Sequence, residues 1–274
     1  MRASLKFSWL LLFCGIAAAR AQEFWLAPRF FLPLHGRILV PMLAGNNFTG
    51  VRWRGKNSRL TRYVHYAPSD STNLLPLVTQ HDTSLATVTL AQPGTHQLAL
   101  ATNNAFLTFA ADSFNAYLRA ERLDNILLIR KQREQLAQPA REAYRRCAKA
   151  LVQVGTGSSP GSTFNRVAGL PLELIPEQDP YGLRVGASLT VRLLADGQPV
   201  AGALLKVWCR DVKKNVEKIE IRTNQNGRAL FRLSTPGTYL ISTMRMTPSA
   251  NPQVADWQST WSSLTFGFAS RTSR

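Results

Sequence analysis

Leu189-Thr190-Val191-Arg192-Leu193 alternates apolar with polar residues and is turned by Asp196-Gly197; Lys218 to Thr223 alternates again and ends in Asn224-Gln225-Asn226-Gly227. A period of two places successive side chains on opposite faces of a strand. Asp-Gly and Asn-Gly are the strongest short-range hairpin signals. Leu205 to Cys209 makes a further strand between them. Ala229 to Leu233, a Pro236-Gly237 corner and Tyr239 to Met246 continue the pattern. Short strands punctuated at this interval predict an antiparallel sandwich over residues 187–274. Trp261 to Phe268 closes it after a loop rich in Pro, Ser and Asn, Thr247 to Asp256.

Working outward, the first half repeats the style. Leu85 to Leu90 runs through Gln92-Pro93-Gly94-Thr95-His96 into Leu98 to Thr102, an echo of Ser234-Thr235-Pro236-Gly237-Thr238-Tyr239. This predicts a second sandwich-like domain over residues 22–111. Between the two the period changes. Phe114, Tyr117, Leu118, Ile126, Leu127 and Ile129 fall mainly at helical spacings, with Asp112 and Ser113 as candidate N-caps. Pro139 breaks that run. Tyr144, Ala148 and Leu151 then share one face of an expected second helix, Ala140 to Val152. The reading is a helical hairpin over 112–154 and a linker and lead-in over 155–186. The fold class expected is mostly β, with two antiparallel sandwich-like domains joined by a helical hairpin.

The start of the chain carries an address. Arg2 and Lys6 precede an apolar run, Phe7 to Ala19, and Ala19-Arg20-Ala21 fits the small-residue rule for signal peptidase. Residues 1–21 are thus expected to be a signal peptide, cut between Ala21 and Gln22, and the protein to be periplasmic. Phe13 precedes Cys14 where a lipobox wants a small residue, which argues against lipidation. No later stretch reaches the roughly 18 apolar residues of a spanning helix.

The 33 Lys and Arg against 16 Asp and Glu give a formal charge of +17; cleavage removes Arg2, Lys6 and Arg20, leaving 30 against 16, or +14. Outside the cytoplasm such an excess favours anionic envelope surfaces, and nucleic acid is not expected as a partner. Cys147 and Cys209 are far apart in sequence and are read as separate buried thiols in preference to a disulfide.

Several marks in order resemble a bacterial periplasmic family labelled a nickel-uptake substrate-specific region. They are Glu23-Phe24-Trp25-Leu26, Phe114-Asn115-Ala116-Tyr117-Leu118, Tyr144-Arg145-Arg146 with Ala148-Lys149-Ala150-Leu151, and Gly169-Leu170-Pro171-Leu172-Glu173 before Pro180-Tyr181. Asp196 to Ala203 and Trp257-Gln258-Ser259-Thr260-Trp261 with Ser263 to Phe266 complete them. The second half also resembles the transthyretin-like, carboxypeptidase-regulatory sandwich. The resemblance implies an exported non-enzyme that acts as a binding or accessory protein. The alternative is a metal-handling accessory to nickel, cobalt or copper uptake, with an outer-membrane or transport system as its partner. The family often has His just after cleavage, where this chain has Gln22, and near the strand of Met244 and Met246, where this chain has Arg245.

The candidate chemistry is thin, and no cofactor is expected. The histidines are His35, His65, His81 and His96, with no pair at i, i+2 or i, i+4. His65, His81 or His96 with Asp82 would suit a composite metal site, but surface or turn histidines are the favoured reading. Met244 and Met246 share a strand face and offer soft ligands to copper; core packing is favoured. Gly157-Ser158-Ser159-Pro160-Gly161 matches a nucleophile elbow in letters only, since no His follows and Pro160 stands where a helix should begin. The densest basic patch is Arg52, Trp53, Arg54, Lys56, Arg59, Arg62 and Tyr63. Its aromatics and guanidiniums would grip a sugar phosphate, lipid headgroup or acidic glycan, against a plain solvated hairpin. Arg130, Lys131, Arg133, Arg141, Arg145, Arg146 and Lys149 are expected on solvated helix faces. Trp25, Trp257 and Trp261 are expected as core anchors.

Overall fold

The computed structural model describes residues 23–80, 85–155 and 163–269. The cleavage site at Ala21 and Gln22, Cys14, His81, Asp82 and the Gly157–Gly161 stretch lie outside the described residues. In chain order the elements begin with β1 (Glu23–Leu26), β2 (Phe31–Leu32), β3 (Gly36–Asn46), β4 (Thr49–Arg52), β5 (Leu60–Tyr66) and β6 (Ser71–Asn73). Then come α1 (Leu75–Gln80), β7 (Leu85–Leu90), β8 (Gly94–Thr102), β9 (Ala105–Phe109), α2 (Ala111–Ala120), α3 (Asp124–Gln132) and β10 (Ala140–Val154). The second half holds β11 (Leu172–Pro176), β12 (Ser188–Ala195), β13 (Gln198–Pro199), β14 (Leu204–Asp211) and β15 (Val216–Arg222). It ends with β16 (Arg228–Arg232), β17 (Gly237–Pro248) and β18 (Trp257–Phe268). With 53% of the described residues in strands and 14% in helices, the protein is mostly β, as the alternation predicts.

A ten-stranded sheet runs through both halves in the order β15-β14-β17-β18-β10-β8-β5-β6, with β2 and β9 also paired to β10. One smaller sheet holds β1, β3, β4 and β7; the other holds β11, β12, β13 and β16. The two Pro-Gly corners do the same job. Each takes the chain from a smaller sheet to the large one, β7 to β8 at Gly94 and β16 to β17 at Gly237. A Cβ on Gly237 would stand 2.2 Å from the Arg210 carbonyl oxygen, so only glycine fits there.

The segment expected as a second helix, Ala140 to Val152, is instead β10. It pairs parallel with β18 from Glu142↔Trp257 to Ala150↔Thr265 and antiparallel with β8 and β9 on its other edge. Its alternate residues feed different cores. Ala148, Ala150, Val152 and Val154 pack with Phe24, Leu26, Val40 and Leu100. Leu151 packs with Leu174, Val191 and Phe266 on the opposite face, and Cys147 beside it with Ala168 and Leu170. A strand buried on both faces shows no clean period of two. Its Ala, Arg, Lys and Gln content then mimics a helix, and tertiary pairing overrides that propensity.

Three of the cations expected on solvated faces are buried, Arg146 and Lys149 on β10 and Arg130 on α3. Lys149 forms an ion pair with Glu173 at 2.8 Å, the two side chains 1% and 2% exposed. Glu173 also accepts the backbone N–H groups of Ala168 and Leu170 and so pins the approach to β11. Arg146 lies under β1, its guanidinium 5.5 Å from the Phe24 ring and 5.4 Å from that of Tyr144. Arg130 ties α3 to the following loop by bonding the Gln135 and Gln138 carbonyls. The helices α2 and α3 break at Arg122, which takes a left-handed φ of 55°. They lay Phe114, Leu118 and Ile126 over Met244, Met246, Trp257 and Trp261. Cys147 is a buried free thiol and Cys209 a half-buried one. No helix among the described residues is long and apolar enough to cross a membrane.

Candidate functional site

The basic patch comes apart on folding. Trp53 and Tyr63 are core residues, 7% and 0% exposed, so neither offers a ring to a ligand. Arg62 and Tyr63 alternate because β5 turns one face inward, whereas Trp53 lies just past β4, whose own residues are all exposed. Trp53 meets the Phe24 ring edge-on at 5.5 Å. Arg59 lies over Tyr144 at 5.0 Å and bonds the Asn103 carbonyl at 3.0 Å. Arg62 donates to the Tyr66 hydroxyl at 2.9 Å. Of the patch, Arg52, Arg54 and Lys56 alone are exposed.

The metal candidates also disperse. His65 and His96 are neither surface nor turn residues: both are buried, 4% and 1% exposed, on adjacent strands β5 and β8. They bond each other and hold no third ligand; among the described residues no three His, Cys, Asp or Glu side chains come together as a metal site. Met244 and Met246 are buried against Trp257 and Trp261.

What the fold builds instead is a groove of about 860 Å³ between α2 and the β14–β15 edge of the large sheet. One wall is helical and lined by small residues, Ser113, Ala116 and Ala120, because Phe114 and Leu118 take the core side of α2. Tyr117 lies between these faces. Its ring stacks on Phe109 at 5.6 Å, and its hydroxyl donates to Glu142 Oε1 at 3.2 Å. Glu142 also accepts the Ser259 hydroxyl, and burial raises its carboxyl to about 7. The opposite wall carries Lys206, Trp208, Lys218 and Glu220.

The floor is Glu23 and the β3–β4 turn. In that turn Asn47 and Phe48 both take left-handed φ values, 53° and 56°. Such a pair makes the hairpin turn that matches strand twist. A phenylalanine rarely adopts that conformation; here it is held by Trp25, edge-on at 5.8 Å, and by Arg210 stacked at 4.3 Å. The turn sets Asn46 and Asn47 on the groove beside Glu23. Glu23 is 5% exposed. Its Oε1 accepts the Trp208 indole N–H at 3.1 Å and the Ser242 hydroxyl at 3.0 Å. Its Oε2 has no hydrogen-bond partner among the described residues, while the Phe48 amide and the Lys206 charge lie close enough to the carboxyl to favour its charged form. Burial dominates and raises the Glu23 carboxyl above its ordinary value.

Lys206 donates to Glu121 at 2.7 Å, bridging sheet and helix. Beyond that bridge a second groove, about 480 Å³, is lined by Arg122, Ser242, Met244 and Trp261 as well as by Glu121 and Lys206. The ion pair is thus a crossbar between two open clefts. Sequence reasoning names Glu23, Ala116 and Tyr117 only as marks of a resemblance, and Met244 and Trp261 only as a soft ligand and a core anchor; it assembles none of them into a groove. The one local signal is an acid, Glu23, inside an otherwise apolar strand buried along its whole length.

A family model described as a domain of unknown function, DUF4198, matches residues 19–247. Among curated proteins none matches. Among solved structures the chain is similar to the "D0-D1 domain of Intimin", 13% identical, covering 90% of this chain and 98% of that one. The TM-score of that likeness is 0.22, which carries no argument.

Proposed function

This chain belongs to the DUF4198 family, a domain of unknown function, and from that starting point we propose that it is a non-catalytic binding protein whose ligand site is the groove between α2 and the β14–β15 edge. The observation that carries this reading is the groove itself: some 860 Å³ of open cleft, with aromatic and small-residue walls and a buried carboxylate on its floor. Concave sites with a few convergent polar groups in apolar walls are the usual form of small-molecule sites. The walls belong to packed elements, α2 and two strands of the largest sheet, so the cleft is preformed.

The reading extends to compartment and lineage. The Ala19-Arg20-Ala21 sequence supports export, with removal of residues 1–21 and residence in the periplasm. The ordered marks from Glu23-Phe24-Trp25-Leu26 to Trp257–Trp261 support the nickel-uptake family label, and the strand pattern after Ser188 a transthyretin-like second half. A role as a binding accessory to an envelope uptake system accords with all of these.

The test is a ligand-observed NMR screen with a mixed set of neutral, acidic and basic metabolites, run on wild type and on Ala116→Trp, which fills the cleft from its small-residue wall. Saturable hits in wild type that vanish in Ala116→Trp support the reading. Hits that persist in the filled variant, or none at all, overturn it.

A further inference from the structure

The charge excess of the groove has the opposite sign to that of the whole chain. The chain carries +17, yet the groove is lined by three carboxylates, Glu23, Glu121 and Glu220, against two ammoniums, Lys206 and Lys218. Both lysines are already matched. Lys206 sits 2.7 Å from Glu121, and Lys218 sits 2.7 Å from Glu220 with its ammonium 5.3 Å from the Trp208 ring centroid. Among the described residues Glu23 has no counter-ion at ion-pair distance, although Lys206 lies near enough to favour its charged form, and its Oε2 is buried without a hydrogen bond.

A buried carboxylate oxygen without a partner is costly, and a charge-assisted hydrogen bond relieves that cost. A ligand anion would meet repulsion at the same place. We propose that the groove takes a small organic ammonium: its N–H groups bond Oε2 of Glu23 while its apolar body lies along Tyr117, Phe109 and the Ala116–Ala120 wall. The Tyr117 and Phe109 rings suit such a ligand, since aromatic faces attract cations and cover apolar carbon alike. Glu23 thereby sets the sign of the ligand, and the small-residue wall its girth. Burial raises the Glu23 carboxyl, so bound ammonium also draws it toward its charged form.

The inference rests on the binding role proposed for this groove, and its test is separable from that reading. Phenethylamine, 2-phenylethanol and phenylacetate are matched probes in size and carry +, neutral and − heads. Each is titrated by calorimetry or protein NMR into wild type and into Glu23→Gln, whose amide oxygen still accepts from Trp208 and Ser242. On a chain this basic, bulk electrostatics repels cations and attracts anions, so a preference for the amine reports the groove alone. Amine binding at least tenfold tighter than alcohol or acid in wild type, lost in Glu23→Gln, supports the proposal. Alcohol or acid bound in the groove as tightly as the amine overturns it while leaving the groove a binding site. An amine preference unchanged in Glu23→Gln overturns the role of Glu23. The wild-type comparison decides the ligand class whether or not the variant folds.

Discussion

His65 donates its Nε2–H to Nδ1 of His96 at 2.8 Å, and the two rings lie parallel within 3° at 5.1 Å. The direction follows from the next partner. Nε2 of His96 faces the Gln92 carbonyl oxygen at 2.7 Å; a carbonyl only accepts, so His96 donates there and its Nδ1 is left as an acceptor. A proton added to that Nδ1 would set two N–H groups face to face. Burial depresses both histidines, with the neighbouring imidazole adding to the effect on His65, which falls to about 4.

The pair makes stability pH-dependent, with a definite sign. The unfolded chain takes up protons near pH 6.5, whereas His65 in the folded protein does so only near pH 4. Its contribution is fully present above pH 6.5 and is lost as pH falls toward 4, at no more than about 1.4 kcal/mol per pH unit. Urea unfolding at pH 7.5, 6 and 5 checks this. His65→Gln, which still donates to His96, is expected to flatten the decline relative to wild type.

Glu142 has the opposite slope. Its carboxyl titrates near 7 when folded, chiefly through burial, and near 4.5 when unfolded. Folding is therefore favoured below pH 4.5, and that advantage is lost as pH rises through 7. Glu142→Gln, which keeps an acceptor for Tyr117 and Ser259, is expected to lose this slope. It should match wild type within about 1 kcal/mol at pH 5 and exceed it by about 1–3 kcal/mol at pH 8.5. Chemical denaturation of both proteins at the two pH values decides the matter.

Lys149→Met leaves Glu173 a buried carboxylate without its ammonium. Breaking a buried pair from one side costs about 3–5 kcal/mol. Glu173 also holds the Ala168 and Leu170 amides, so Lys149→Met/Glu173→Leu should not recover that loss. Equilibrium unfolding is the measurement, and full recovery in the double variant would show that the amides find other partners.

Arg52, Arg54 and Lys56 remain the exposed part of the basic patch. Replacing the three with Ser is expected to weaken binding to anionic lipid vesicles, most visibly at low salt. The melting temperature should barely move, since exposed substitutions usually change stability by about 0.5 kcal/mol or less each. Arg59 is left intact in this test because its stacking on Tyr144 would confound binding with packing.

The legible part of this chain was local. β12, β14, β15 and β16 carry their own alternation, and β17 is a β-rich run between a Pro-Gly corner and Pro248, so they could be read one at a time. β10 could not, because both its faces are buried and its partners, β8, β9 and β18, come from distant parts of the sequence. The groove was hidden for the same reason. Glu23, Tyr117 and Lys206 belong to three separate stretches, and none carries a motif by itself. The histidine pair is 31 residues apart, so a search for ligands at i, i+2 or i, i+4 passes over it. Composition and spacing report what neighbours in sequence do, whereas cross-sheet contacts create sites.

The place of β18 has a consequence for how the chain is made. β18 is the last of the described strands in sequence, yet it lies between β10 and β17 in the middle of the largest sheet. A chain growing from a ribosome or emerging from a pore amino-end first presents two open sheet edges until residues 257–268 arrive. The first half, with β10 already complete, waits for a partner more than a hundred residues downstream. Loop-closure entropy makes such distant pairings slow, and open edges invite pairing with other chains. The large sheet thus closes with the insertion of one strand, and anything that shields β10 and β17 in the interval protects the protein from aggregation.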